Sequence, residues 1–226
     1  MPKVSDEYLR KKKEEIIDAA YRVCVKKPVT SVEMKDVIKE TGFSHGAIYR
    51  YYSDLDEILH DLVIRINSES RFDDRLDEVF KDAGTKSWES VVHEVFGLLA
   101  SHIRNLGPDI LKLSIYSDVL AMSDPERAAN IAGKLGSDEQ SPMVYFISVL
   151  MDFLSGVVKK KKFKPVKTID EIMQFIIVSY NGIQTGCVLS GCFDHEDLNG
   201  KYEPEKMFSC LADTVILMIG GKTDVL

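Results

Sequence analysis

The sequence predicts an all-α protein, and three features of its pattern support that fold class. Apolar residues recur at three- and four-residue spacing along most of the 226-residue chain, as they do in amphipathic helices. Gly and Pro residues fall between these stretches, where helices are expected to end. Residues 41–52 combine a tight turn with a short helix. We therefore expect a three-helix helix-turn-helix domain over residues 1–53, joined by a long helix from about residue 54 to an all-helical second domain over residues 54–226.

The composition is that of a soluble globular protein, with 45% hydrophobic and 29% charged residues. The first residues lack the apolar core of a signal peptide, and we expect no membrane-spanning segment, since no apolar run approaches roughly 18 residues. Four cysteines are too few for a disulfide scaffold. These features predict a cytoplasmic protein with reduced cysteines.

Charge is distributed unevenly along the chain, whose net charge is −7. Residues 1–52 contain 11 Lys and Arg against 8 Asp and Glu, a net of +3. The remaining residues contain 18 against 28, a net of −10. A mildly basic N-terminal part can bind a phosphate backbone despite an acidic remainder, because salt screens charges beyond about 8 Å.

The first two predicted helices support the helix-turn-helix. Residues 6–27 form one apolar helical stripe, and Pro28 ends it. Its basic run at residues 10–13 is either a solvated face or a set of phosphate contacts. We expect Thr30 and Ser31 to open the second helix, because Thr30-x-x-Glu33 has the form of a capping box.

The third predicted helix carries an unusual outer face. Gly42 permits the positive φ that ends the second helix, and Ser44 is a suitable N-cap. Ile48 and Tyr52 fall on the inner side, and the opposite side carries a histidine, a glycine, a tyrosine and an arginine. A helix-turn-helix inserts into the major groove a short helix whose inner side is held rigidly and whose outer face is polar and aromatic.

The rest of the chain is predicted to be helical. We expect one continuous helix over residues 54–82 and a second over 87–105. Gly107 and Pro108 would break the helical path there, and Pro108 suits the start of the next helix. Further helices are expected at 110–120, from Asp124 onward, at 143–158, at 168–189 and at 204–219. The run of lysines at residues 159–162 suits a helix C-terminus.

Residues 16–62 resemble the DNA-binding domain of the TetR family of bacterial transcriptional regulators. The resemblance rests on three strings: Ile16-Ile17-x-Ala19-Ala20, Val37-Ile38-x-x-Thr41-Gly42-Phe43-Ser44-x-Gly46-x-Ile48-Tyr49-x-Tyr51-Tyr52, and Ile58-Leu59-x-x-Leu62. Two positions depart from the family pattern. Leu55 stands where the family usually has Lys, and Thr30 and Ser31 are displaced by two positions.

The resemblance implies a homodimeric, ligand-responsive regulator that binds double-stranded DNA. It implies a repressor released from a palindromic operator by a small, apolar effector. The residues implied to face DNA are Thr30, Ser31, Lys35, Ser44, His45, Gly46, Ala47, Tyr49, Arg50 and Tyr51.

The resemblance also implies two sites in the second domain. The last two helices would form the dimer interface, through Ile183, Cys187, Phe208, Leu211 and Val215. Aromatic and Met side chains suit a pocket for an apolar effector; the candidates are Phe96, Tyr116, Met122, Phe146, Phe175 and Tyr180. We expect no cofactor, no metal site and no catalytic residues.

Three alternatives stay open at this stage. Cys187, Cys192 and His195 are compatible with a metal or redox site, although the spacing matches no common zinc pattern. Buried thiols beside a solvated loop are the simpler reading. The chain could also be an all-helical enzyme or ligand carrier whose N-terminal part only dimerises, or an activator in place of a repressor.

Overall fold

The computed structural model describes residues 6–133, 142–192 and 203–223, without the side chain of Cys192. No strand occurs in these ranges, so the predicted all-α class is confirmed. The helices are α1 (Asp6–Lys26), α2 (Met34–Thr41), α3 (His45–Ile48), α4 (Leu55–Glu69), α5 (Asp73–Lys81), α6 (Trp88–Ser123), α7 (Pro125–Gly133), α8 (Pro142–Lys161), α9 (Ile169–Cys192) and α10 (Pro204–Ile219), with a 3₁₀ turn at Val29–Ser31.

The described residues pack as two compact units. The first takes its residues from 1–69 and 112–139, and the second from 70–111 and 140–226. Each unit has its own apolar core. The first unit therefore contains more than the predicted helix-turn-helix domain, whose boundary at residue 53 stays a prediction.

The core of the first unit comes mainly from α1, α2, α3 and α4. Its fully buried side chains include Ile16, Ala20, Val37, Ile48 and Ile58. Ion pairs between exposed groups reinforce the α1–α2 contact: Arg22 Nε lies 2.7 Å from Glu40 Oε1, and Lys26 Nζ lies 3.3 Å from Glu40 Oε2.

Helix α7 is joined to α4 within the first unit. The Arg127 guanidinium donates to Asp56 Oδ1 through Nε at 2.9 Å and through a terminal nitrogen at 2.7 Å. His60 Nδ1 lies 2.8 Å from the Ile131 carbonyl oxygen. These contacts hold the two helices side by side.

The prediction of one continuous helix over residues 54–82 is wrong. Helix α4 ends at Glu69 and α5 begins at Asp73. Phe72 has the non-helical angles φ −131° and ψ 13°, and its ring is buried against His102 and Phe146, with centroids 4.6 and 6.2 Å apart. The chain leaves the helical path because this geometry buries the Phe72 ring in the core of the second unit.

The predicted start of the second helix is also corrected. Thr30 and Ser31 lie in the 3₁₀ turn, and α2 begins at Met34. Glu33 occupies the N-cap position, and its backbone N–H donates to Asp36 Oδ2 at 2.8 Å. The cap is therefore formed three residues later than Thr30-x-x-Glu33 suggested, because Pro28 and the 3₁₀ turn come between the two helices.

The predicted interruption of α6 is confirmed. Gly107 has φ 73° and ψ 167°, and Pro108 follows it. At the start of α6, Ser87 Oγ accepts a hydrogen bond from the Ser90 N–H at 3.1 Å. This bond is a side-chain N-cap.

Two helices of the second unit correct the expectation about apolar length. Helix α8 and residues 169–190 of α9 are long and apolar enough to cross a membrane by length and composition alone. Core helices of soluble proteins pass the same test. One side of α8 packs into the core through Phe146, Leu150 and Leu154, so this finding is weak evidence for a membrane span.

Candidate nucleic-acid interface

The turn between α2 and α3 is set by Gly42. Its φ of 69° lies in the left-handed region, and its N–H donates to the Ile38 carbonyl at 3.2 Å. Thr41 Oγ1 accepts from the Phe43 N–H at 3.1 Å. Together these bonds fix the direction in which the chain enters α3, as the sequence predicted for Gly42.

Helix α3 is a single turn supported from behind. Ser44 occupies its N-cap position with extended backbone angles, although the Ser44 hydroxyl makes no capping bond. The Ser44 carbonyl instead accepts from Ala47 N at 2.9 Å. Ile48 is 0% and Tyr52 2% exposed, so the inner side of the helix is anchored in the core.

The opposite side of α3 is open to solvent. Tyr49 is 45% exposed, and its ring lies 4.8 Å from the His45 ring. Among the described residues, no salt-bridge partner holds the Arg50 guanidinium. The exposed members of the predicted DNA surface are Thr30, Ser31, Lys35, Ser44, His45, Gly46, Tyr49 and Arg50, and Ala47 and Tyr51 are partly buried. None of the ten is buried, and all lie between the 3₁₀ turn and Tyr51, with Tyr49, Arg50 and Tyr51 in the turn that follows α3.

Behind α3, Tyr52 links three helices through a polar contact. Its hydroxyl donates to Asp61 Oδ2 of α4 at 2.8 Å. Lys13 Nζ of α1 lies 3.5 Å from the same oxygen and 4.7 Å from the centre of the Tyr52 ring. Burial and the bond to Asp61 raise the pKa of Tyr52 well above its usual range, so the hydroxyl stays a donor.

Lys12 makes a second contact of this kind. Its Nζ lies 2.7 Å from Glu15 Oε2 and 4.9 Å from the centre of the Phe43 ring in the turn. Two of the four basic residues at 10–13 therefore brace the turn and α3, which the sequence left open between a solvated face and phosphate contacts. These roles could not be predicted from the sequence, because nothing in the local pattern pairs Lys13 with Asp61.

Lys35 is exposed at the start of α2, and its Nζ lies 2.6 Å from Glu33 Oε2. An exposed pair of this kind contributes little. A phosphate group could therefore replace the Glu33 carboxylate as the partner of Lys35.

The six predicted effector residues are divided between the two units and the surface. Phe96, Phe146 and Tyr180 belong to the core of the second unit, and burial raises the pKa of Tyr180 to about 12. Tyr116 packs against the core of the first unit. Met122 and Phe175 are 77% and 41% exposed. Only the first three belong to one core.

The residues predicted at the dimer interface face inward in the single chain. Phe208 and Val215 are fully buried in the core of the second unit, Leu211 is 5% exposed and Ile183 9%. Cys187 is partly buried, and burial raises its pKa. The interface residues stay a prediction, and in the single chain these side chains belong to its own core.

The same two helices leave other apolar side chains exposed. Phe175, Val178 and Leu189 of α9 are 41%, 69% and 46% exposed and fall on one helical stripe. On α10, Met207 and Leu217 are 37% and 42% exposed. Apart from Phe175, these residues could not be predicted from the sequence, because periodicity alone does not say which face of an apolar helix meets the core.

The possible metal or redox set is described only in part. The side chain of Cys192 and all of His195 lie outside the described residues. Cys187 is free within the described residues, and no cluster of three metal-ligating side chains occurs among them.

Known proteins share both the sequence pattern and the fold. Residues 16–62 match the profile of the family described as bacterial regulatory proteins, tetR family. The chain is 25% identical over 209 residues to the uncharacterised HTH-type transcriptional regulator YfiR of Bacillus subtilis (strain 168), covering 92% of this chain and 94% of YfiR.

Two solved structures have a similar fold at low sequence identity. A TetR transcription regulator from Haloarcula marismortui is 16% identical with a TM-score of 0.64, covering 93% of this chain and 99% of its own. The regulator FadR from Bacillus subtilis, in complex with stearoyl-CoA, is 16% identical with a TM-score of 0.57 and the same two coverages.

These findings agree with the geometry of α2, the turn and α3, in which an exposed polar helix is anchored by Ile48 and Tyr52. The resemblance noted in the sequence is confirmed over the same residues, 16–62. Residues 16–62 thus match the tetR family of bacterial regulatory proteins in sequence, and the chain as a whole has a fold similar to that of solved regulators of this kind.

Proposed function

We propose that the protein is a homodimeric repressor that leaves a palindromic operator when a small effector binds. The observation that supports DNA reading most directly is the exposed face of α3, with Tyr49 45% exposed and the helix anchored by Ile48 at 0%. Such a helix reaches base edges in the major groove without losing its support.

Each residue of this face has a role that follows from its chemistry. Arg50 would bind guanine or a phosphate through its free guanidinium. The hydroxyls of Tyr49 and Tyr51 would donate hydrogen bonds to phosphate oxygens, and their rings would contact thymine methyl groups. Gly46 leaves the backbone open to close approach, since a Cβ there would meet nothing within 4 Å in the free protein.

A dimer would place two α3 helices in successive major grooves, about 34–36 Å apart. The exposed stripes of α9 and α10 supply an apolar surface for it: Phe175, Val178, Leu189, Met207 and Leu217. Scattered exposed apolar residues are ordinary, but Phe175, Val178 and Leu189 recur along one side of α9, which suits packing against a second copy of the chain. Soluble, dimeric and DNA-bound, the regulator would act in the cytoplasm.

The effector would act by changing α4, which lies directly behind the DNA-reading part. Asp61 of α4 accepts from Tyr52, and Asp56 of α4 pairs with Arg127 of α7. We propose an apolar effector, in line with the stearoyl-CoA bound to the structurally similar FadR. A shift of α4 would move α3 with it and so lower the affinity for DNA.

The experiment is selection of duplexes from a random pool by the purified protein, followed by binding across a salt series. We expect a palindrome whose half-sites are about one helical turn apart. The slope of log affinity against log salt should report several released counterions. Enrichment of no sequence would contradict DNA reading by α3, and an asymmetric single site would contradict the dimer.

The repressor mechanism has a test of its own. Effector and DNA must oppose each other through one coupling free energy, and this coupling is reciprocal. An effector that weakens operator binding must itself bind more weakly by the same factor when the operator is present. Equal effector affinity with and without operator would exclude release by this mechanism.

A further inference from the structure

The second unit contains a cavity that none of the six predicted effector residues lines. Its volume is about 440 Å³, within the range of small-molecule sites. One side is the segment from Ala83 to Glu89, which leads into α6. The other is the face of α8 from Asp152 to Lys161.

The apolar wall of this cavity is held in place on its far side. Trp88 is 7% exposed, and its ring lies 5.6 Å from that of Phe163. A Cβ added at Gly221 would lie 2.5 Å from the Trp88 ring, so the chain after α10 packs directly on it. Phe153, the second aromatic residue of the wall, lies 5.2 Å from Phe80. The wall is therefore preformed.

Gly156 keeps the cavity open from the middle of α8. A glycine inside a helix costs about 1 kcal/mol relative to alanine. A Cβ at Gly156 would meet nothing within 4 Å, so no neighbour requires the glycine. A side chain at this position would instead occupy the space between α8 and residues 83–89.

The charges of the lining differ between its two ends. Lys160 and Lys161 have no acidic partner among the described residues, whereas Lys86 Nζ lies 2.7 Å from Glu94 Oε2. Asp152 lies eight residues before Lys160 on α8, about 12 Å along the helix axis. The Lys160 end is strengthened by the neighbouring exposed lysines of residues 159–164.

We propose that this cavity binds a small organic anion, with its charged group at Lys160 and Lys161 and its apolar body between Trp88 and Phe153. The preformed aromatic wall supplies contact area, and two ammonium groups without acidic partners supply the charge. Asp152 and Glu89 also line the cavity, which disfavours ligands that carry negative charge at both ends. The site does not depend on the repressor mechanism, and it can be tested without DNA.

The test uses the only tryptophan of the chain, Trp88, and the aromatic sulfonate 8-anilinonaphthalene-1-sulfonate as the probe. Trp88 emission should be quenched as the probe binds, with energy transferred to the probe. Substituting Lys160→Gln with Lys161→Gln should weaken this binding about tenfold, the effect of losing one hydrogen bond to a charged group. Gly156→Leu should abolish it by filling the cavity.

Two matched variants control the experiment. Lys159→Gln with Lys164→Gln removes the same charge from lysines that do not line the cavity, and should weaken binding less than about twofold, as for exposed charges. Gly156→Ala should keep the protein folded and leave most of the binding. Absence of energy transfer from Trp88, or equal weakening by the two lysine pairs, would overturn the proposal. Unchanged binding by folded Gly156→Leu protein would overturn it as well.

Discussion

Two glycines near the turn have different reasons to be there. Gly42 has φ 69°, whereas Gly46 lies inside α3 with no atom within 4 Å of a Cβ. Gly42→Ala should lower the free energy of unfolding by about 1–2 kcal/mol, because alanine is strained in the left-handed region. Gly46→Ala should leave stability equal or higher and weaken DNA binding, because its methyl group would meet the duplex. Thermal unfolding and operator affinity of both variants check this, and an equal loss of stability would contradict it.

His102 gives the stability of the protein a pH dependence. Burial lowers its pKa to about 4, and an unfolded chain takes up the proton near pH 6.5. The neutral His102 ring therefore makes its full contribution to the free energy of unfolding above pH 6.5. This contribution is lost as the pH falls from 6.5 towards 4, by up to about 1.4 kcal/mol per pH unit. His102→Phe should flatten the slope of the unfolding free energy in this interval. An unchanged slope in the variant would contradict the assignment.

At the scale of an element, α3 depends on the contact between Tyr52 and Asp61. Tyr52→Phe should lower stability by about 1 kcal/mol, the net value of one hydrogen bond, and should also weaken operator binding, because α3 loses its link to α4. The matched change Tyr51→Phe should weaken binding without the loss of stability. Denaturant unfolding and operator titration separate the two, and identical behaviour of the variants would contradict the assignment.

The elements show which parts of the fold could be predicted from sequence. The turn at Gly42, the break at Gly107 and the bounds of α10 follow from local chemistry that the sequence displays, and the structure places them as predicted. The division between α4 and α5 carries no Gly or Pro. It is set by burial of Phe72 against His102 and Phe146, a contact between residues far apart in sequence.

The candidate sites divide in the same way. The outer face of α3 and the turn after it was predictable, because burial of Ile48 and Tyr52 leaves Tyr49 and Arg50 exposed. The effector and interface residues were predicted from the family resemblance together with apolar or aromatic residue type. Apolar type does not distinguish a core position such as Phe208, which is fully buried, from an exposed one such as Val178.

For the whole molecule, the exposed stripes of α9 and α10 predict the state of association. Val178→Glu with Leu217→Glu should convert a dimer into a monomer, since charges would replace side chains that are 69% and 42% exposed in the single chain. Val119→Glu is the control, because Val119 is 37% exposed and lies on α6 in the first unit. Sedimentation velocity checks the mass, and a dimer that survives the double change would place the interface elsewhere.

One measurement tests directly whether α3 and the turn after it read the DNA. Operator affinity should be compared between the wild-type protein and the variant Tyr49→Ala with Arg50→Ala, at equal helical content by circular dichroism. Both side chains are exposed, so the fold should be unaffected. We predict a loss of about 2–6 kcal/mol in operator binding, with non-specific affinity much less changed. Undiminished selective binding by the folded variant would show that another surface reads the DNA.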